Sequence, residues 1–162
     1  MTYVVADFQS GLKESEESPA CEMNYEMPDG RKILIGNERF RCPEVLFQPG
    51  LCGKKNIKGI HEQVMEAILR TDEVVQGEML PNIVLSGGNS LFDGLPGRLW
   101  NELEHMQRQH CNIHVDHQPA RKYSVWLGGS ILASMDTFNT QWINRSDYDE
   151  VGPGIIHRKC LL

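Results

Sequence analysis

The chain has 162 residues, 40% of them hydrophobic and 23% charged, enough for one soluble domain or for two small lobes sharing a core. A formal net charge of −6 argues against a mainly electrostatic nucleic-acid binder, which needs a basic face. No run of about eighteen apolar residues is present, which excludes membrane insertion by a spanning helix, and the start, MTYVVADFQSGLKESEE, reads as neither a secretory signal nor a transit peptide.

Residues 3–8, YVVADF, form a short apolar run, and the acidic, serine-rich GLKESEESPACE behind it reads as a loop or a frayed helix. Two β-favouring runs then flank Pro28-Asp29-Gly30, a tight-turn signal that predicts a β-hairpin whose second strand is Lys32-Ile33-Leu34-Ile35. The next stretch, ERFRCPEVLFQPGLCGKKNIKG, is rich in Pro and Gly and is expected to be mostly loop, with one helical turn around Pro43 to Phe47. Its Lys54, Lys55 and Lys58 read as a solvated basic loop.

Ile57, Ile60, Val64 and Ile68 recur at helical spacing and predict a helix with Glu62, Gln63, Glu66 and Arg70 turned outward. Residues 72–80 read as a second short helix or a loop. Ile83-Val84-Leu85 is apolar throughout and too short for a helix, as expected of a buried parallel strand. Gly87-Gly88 ends it. A helix opens after Asp93-Gly94, with Pro96 in its first turn and a stripe of Leu95, Leu99, Leu103 and Met106. Asn112 to Val115 reads as a strand, Ser124 to Met135 as a third helix, and the Trp142-centred tail as short helical pieces. The chain is α/β.

The five cysteines, Cys21, Cys42, Cys52, Cys111 and Cys160, include no CxxC pair, and the six histidines form no HExxH set. Free thiols in a reduced, intracellular chain and no metal site are the economical reading. The HRKC run at 157–160 holds one His and one Cys, too few for a metal or redox centre. No catalytic constellation emerges, since Ser86, Ser90 and Ser130 lie outside any GxSxG elbow.

The chemically informative element is the strand–turn–helix over residues 83–94. Paired glycines at a strand's carboxyl end let a ligand approach backbone closely, Leu91 and Phe92 offer an apolar wall for a flat base, and the following helix N-terminus favours an anion. By itself this pattern does not separate a nucleotide site from a tight turn, and it does not match GxxxxGK[ST]. Likewise, Arg121-Lys122 ahead of a helix containing Gly128-Gly129 reads as a ligand approach or as a surface loop entering a packed helix.

Four blocks taken in order carry a resemblance: ILIGNERFRCPEVLFQP, NIVLSGGNSLFDGL, RKYSVWLGGSILASM and YDEVGPGIIHRKC. Together they resemble the C-terminal portion of actin and of the actin-related proteins, over about residues 3 to 160. The resemblance implies an actin-like ATPase (ribonuclease H-like) fold, in which two α/β lobes enclose ATP or ADP and a divalent metal. This chain would supply part of the second lobe and a C-terminal segment that packs on the first. The implied organisation is a connecting helix or loop over 1–24, part of a small subdomain with the hairpin over 25–56, a large subdomain over 57–122 and a helical segment over 123–162.

By the same resemblance, Gly87, Gly88, Leu91, Phe92 and Lys122 match the adenosine contacts, while Leu127, Ile131, Leu132, Met135 and Thr137 match one wall of a groove for amphipathic partner helices. Leu127, Ile131 and Met135 share one helical face, and such a face is ordinarily core. The implied partners are actin, actin-binding proteins or a complementary chain, and the implied location is the cytoplasmic cytoskeleton, with the nucleus as a second compartment. The family's phosphate loops and metal-linked aspartates match nothing here, so no hydrolysis by this chain alone is expected, and nucleotide binding in isolation stays open. Phe92 stands where conventional actins have tyrosine and Asp93 where they have proline, as in a divergent member. The loop 50–56 is longer and more basic than the family's filament-contact loop, and Cys160-Leu161-Leu162 runs past its aromatic end. The alternative from another class is an actin-like scaffold module that binds no nucleotide. A chaperone or kinase relative is disfavoured by the actin-specific blocks.

Overall fold

Asp7 opens the first helix: its Oδ2 accepts from the Ser10 N–H at 2.7 Å, satisfying one of the amides a helix start leaves orphaned. The structure, a computed structural model, describes residues 2–107 and 112–160. Helix α1 spans Phe8–Glu17, so the acidic, serine-rich run is helical as far as Glu17 and then turns through a 3-10 segment, Pro19–Cys21. Phe8 and Gly11 face inward.

The hairpin forms as expected. Strands β1 (Met23–Glu26) and β2 (Lys32–Ile35) pair antiparallel with Met23 opposite Ile35 and Glu26 opposite Lys32. The turn closes with the Gly30 N–H donating to Met27 O at 2.9 Å, and Asp29 accepts from the Arg31 backbone N–H at 3.0 Å. Gly30 has φ +81°, a backbone state few other residues adopt readily.

Residues 38–44 correct the expectation of loop. They form helix α2, Glu38–Glu44, with Pro43 inside it. A proline here removes a donor to the carbonyl four residues earlier. That carbonyl, Arg39 O, is taken instead by the Tyr3 N–H at 3.1 Å, so the apparent breaker becomes an attachment point for the chain start. Tyr3 and Phe8 pack their rings against Phe40, with centroids 5.9 and 6.2 Å away.

Helix α3 covers Ile60–Leu69, three residues shorter at its start than the spacing predicts. Gly59 is extended, and the Glu62 carboxylate accepts its N–H at 2.9 Å, which fixes the helix start after Ile57. Ile57 lies outside, 53% exposed, while Met65 and Ile68 are buried. Residues 73–79 form helix α4. Strand β3 (Ile83–Val84) pairs parallel with β4 (Val115–Asp116), as anticipated for a parallel strand. Two expectations fail here. Val84 is 68% exposed, because strand alternation turns it away from the face on which Ile83 and Leu85 pack against the core. The ladder falls on 115–116 rather than along 112–115.

Helix α5, Leu95–Met106, carries the core stripe: Leu95, Leu99 and Leu103 are buried, each stabilising the fold by about 2 kcal/mol through apolar burial. Met106 leaves the stripe and is exposed. These leucines meet Val4, Phe47, Met65, Ile68, Leu80 and Val115 in one cluster. Gly94 before the helix has φ +81°, and a Cβ there would collide with Val4 O.

The described chain separates into two units, Met1–Lys122 and Tyr123–Leu162. The second is a succession of helices, as read from sequence: α6 (Ser124–Ser134), a 3-10 turn Asp136–Gln141, α7 (Arg145–Val151), a second 3-10 turn Gly152–Ile155 and α8 (Ile156–Lys159). Within it Phe138 meets Trp142 edge-on at 5.1 Å, and Lys159 Nζ donates to Trp142 O and Asp147 Oδ2, both at 2.7 Å.

Candidate functional site

The β3–turn–α5 element places four of the five expected nucleotide contacts in sequence. Gly87 sits three residues beyond β3 with φ 92° and ψ 166°, a conformation open to glycine only. A 3-10 turn over Gly88–Leu91 follows, with Phe92 ending it. A Cβ built on Gly87 or on Gly88 would meet no atom within 4 Å, so the backbone faces open space on that side. Leu91 is 38% exposed, whereas Phe92 is half-buried and packs on the hydrophobic core. Leu91 is therefore the more available apolar surface of the two. The fifth contact, exposed Lys122, belongs to a 3-10 turn over Arg121–Tyr123. The turn that carries it is tied to the glycine turn, since its neighbour's carbonyl, Arg121 O, accepts the Gly87 N–H at 3.0 Å.

Sequence reading treated Arg121 only as a basic residue ahead of a helix. In the structure its guanidinium donates to Ser90 O through Nε (3.1 Å) and Nη2 (3.0 Å), and through Nη1 to His117 O (3.0 Å) and Gln118 O (3.2 Å). Ser90, buried, turns its hydroxyl back to Gly87 O at 2.6 Å. No spacing in the sequence announces a contact across 31 positions.

A second polar centre was also missed. Arg98, on the buried face of α5, donates from Nη2 to Glu44 Oε1 at 3.0 Å, from Nη1 to Glu44 Oε2 at 3.2 Å and to Val5 O at 2.9 Å, and from Nε to Glu102 at 2.7 Å. Gln48 also donates to Glu44, at 2.9 Å. Burial, the largest influence, holds the Glu44 carboxyl above its ordinary value, while the Arg98 charge and hydrogen bonds pull the other way. The available signal was an arginine inside a leucine stripe, which demands a buried acceptor. With every side-chain nitrogen and oxygen of the pair hydrogen-bonded within the fold, to α2, to α5 itself and to Val5 O, the pair is structural.

The five residues expected to wall a partner groove lie in the second unit. Leu127, Ile131 and Leu132 are on α6, Met135 caps its end and Thr137 is in the next turn. All five are exposed, with Ile131 at 65%, so the face is not core. Val125 (80%) and Trp126 (70%) are exposed as well, so α6 presents apolar side chains on several sides.

Among the described residues no group of three or more His, Cys, Asp or Glu is placed to hold a metal ion, and no helix is long and apolar enough to cross a membrane. Cys21, Cys42, Cys52 and Cys160 are free thiols. Cys111 and the final Leu161-Leu162 lie outside the described residues. A family model described as Actin matches residues 1–161, nearly the full length. With the α/β architecture and that match, the chain belongs to the actin family.

Proposed function

We propose that this chain contributes the adenosine side of an ATP or ADP cleft, with Gly87 and Gly88 under the nucleoside, Leu91 and Phe92 as its apolar wall and Lys122 beside the base. The observation that carries this is the open space over both glycines at the carboxyl end of a parallel strand, next to an exposed leucine. A bound nucleotide would bring phosphates and their divalent metal; no step is assigned to this chain's residues, and hydrolysis by the chain alone is not part of the proposal. Titration of the full chain with a fluorescent ATP analogue tests it. Micromolar binding is expected in the natural chain and loss of binding in Gly88→Asp. A Cβ at Gly88 would meet no atom within 4 Å, so the substitution begins in open space and sets a carboxylate against the ligand's phosphates; an unchanged circular dichroism spectrum and melt are the check that the fold is kept. Failure of the natural chain to bind, even with an N-terminal actin half supplied, would overturn the reading.

A second reading rests on α6. An apolar helix exposed on several sides is a surface for another protein. An actin-like interaction or scaffold module, binding actin or actin-binding proteins through Leu127, Ile131, Leu132, Met135 and Thr137 within the cytoplasmic or nuclear cytoskeleton, needs no nucleotide. The same titration separates the two.

A further inference from the structure

The Gly87–Phe92 turn is held by a closed circuit of hydrogen bonds. The Arg121 carbonyl accepts from the Gly87 N–H, the Gly87 carbonyl accepts from the Ser90 hydroxyl, and the Ser90 carbonyl accepts twice from the Arg121 guanidinium. Each link leads to the next residue, and the last returns to the first. At its far side the same guanidinium grips His117 O and Gln118 O, just beyond β4. The base of this structure is the β3–β4 pairing, extended one step by the Leu85 N–H donating to Asp116 O at 2.9 Å. Two loops leaving adjacent parallel strands are thus tied at the strand ends and again at the tip.

We infer that Arg121 is the positioning residue of the glycine turn, setting its geometry through Ser90 rather than by meeting a ligand. The inference rests on the nucleotide reading only for its affinity arm. Two features of arginine and one of the turn support this. Its planar fork offers five donors in fixed directions, so one side chain serves carbonyls of three residues at once. A lysine ammonium is a point charge with no such fork. Gly87 occupies a backbone region that a flexible turn would leave, and no side chain on either glycine packs to hold it there. The hydrogen bonds around the circuit supply that restraint, and a site presented in its bound geometry loses less ordering entropy on binding.

The test uses the full chain carrying Arg121→Lys and, separately, Ser90→Ala, which opens the circuit at its second link. Amide hydrogen exchange is read by peptide for the 86–92 turn and for the core helices 60–69 and 95–103, beside the affinity for the fluorescent ATP analogue. Loss of about one net hydrogen bond predicts roughly tenfold faster exchange in the turn and about tenfold weaker analogue binding, with core exchange unchanged. Unchanged exchange across the turn in both variants would overturn the inference. So would an equal rise in the core helices, which would make Arg121 an ordinary stability residue. If the turn alone loosens but the natural chain binds no analogue, the circuit stands and the nucleotide reading falls.

Discussion

Arg98 enters the core from the middle of a leucine stripe, and its partner Glu44 lies 54 positions earlier. Two charges removed from water recover their desolvation only through mutual attraction and well-made hydrogen bonds, so the pair adds little net stability while either partner alone is costly. Arg98→Met therefore is expected to destabilise the chain by about 3–5 kcal/mol in urea denaturation, since it strands a buried carboxylate. Glu44→Gln, which keeps shape and one acceptor and leaves the Arg98 guanidinium its partners Glu102 and Val5 O, should cost only about 1–2 kcal/mol. The reverse ranking would contradict this account. The leucines of α5 were legible from their spacing alone. Arg98 was visible as an anomaly among them, but neither its acceptor nor the acceptor of Arg121 was, because both meet their partners through the tertiary fold and sequence periodicity reports only neighbours on one element.

Local signals decided elements where one short segment carried the whole instruction. Pro28-Asp29-Gly30 specified the hairpin, because turn, Asx contact and positive φ all reside in those residues. Helix α2 was illegible for the opposite reason: Pro43 reads as a breaker until Tyr3 takes the carbonyl it leaves unpaired. The two-residue strands were named from apolar character, yet their true extent depended on which residues found a partner. In the second unit, α7 and α8 are joined by Lys159 and Asp147. The Lys159 hydrogen bond is the largest influence on Asp147 and lowers its carboxyl below the ordinary 3.8, against a smaller opposing effect of burial. A lowered folded value means the contact's stabilisation is complete above the ordinary carboxyl range and is lost as pH falls through the folded value. An NMR titration following the Asn144 and Asp147 amides should place that transition below pH 3.8, and Asp147→Asn should abolish it. A midpoint at or above 3.8 would remove the contact from the account.

At the level of the molecule, family membership was legible because four blocks recur in order, whereas the surfaces were not. Exposure of Val125, Trp126, Ile131 and the hairpin's Tyr25, Ile33 and Leu34 is visible only in three dimensions. Such surfaces predict strong binding of a hydrophobic dye and concentration-dependent association in sedimentation, both suppressed when an N-terminal actin half is added. A monomer that melts sharply and binds little dye would refute the expectation of a covering partner. The chain start has a practical bearing on any such experiment. Tyr3 and Val4 donate to the carbonyls of Arg39 and Asp93, at 3.1 and 2.7 Å, and Val5 O receives the guanidinium of Arg98. A protease cut after Val5 would therefore unseat α2, the glycine turn's exit and the buried ion pair together, so limited proteolysis at this one short segment reads out three parts of the first unit at once.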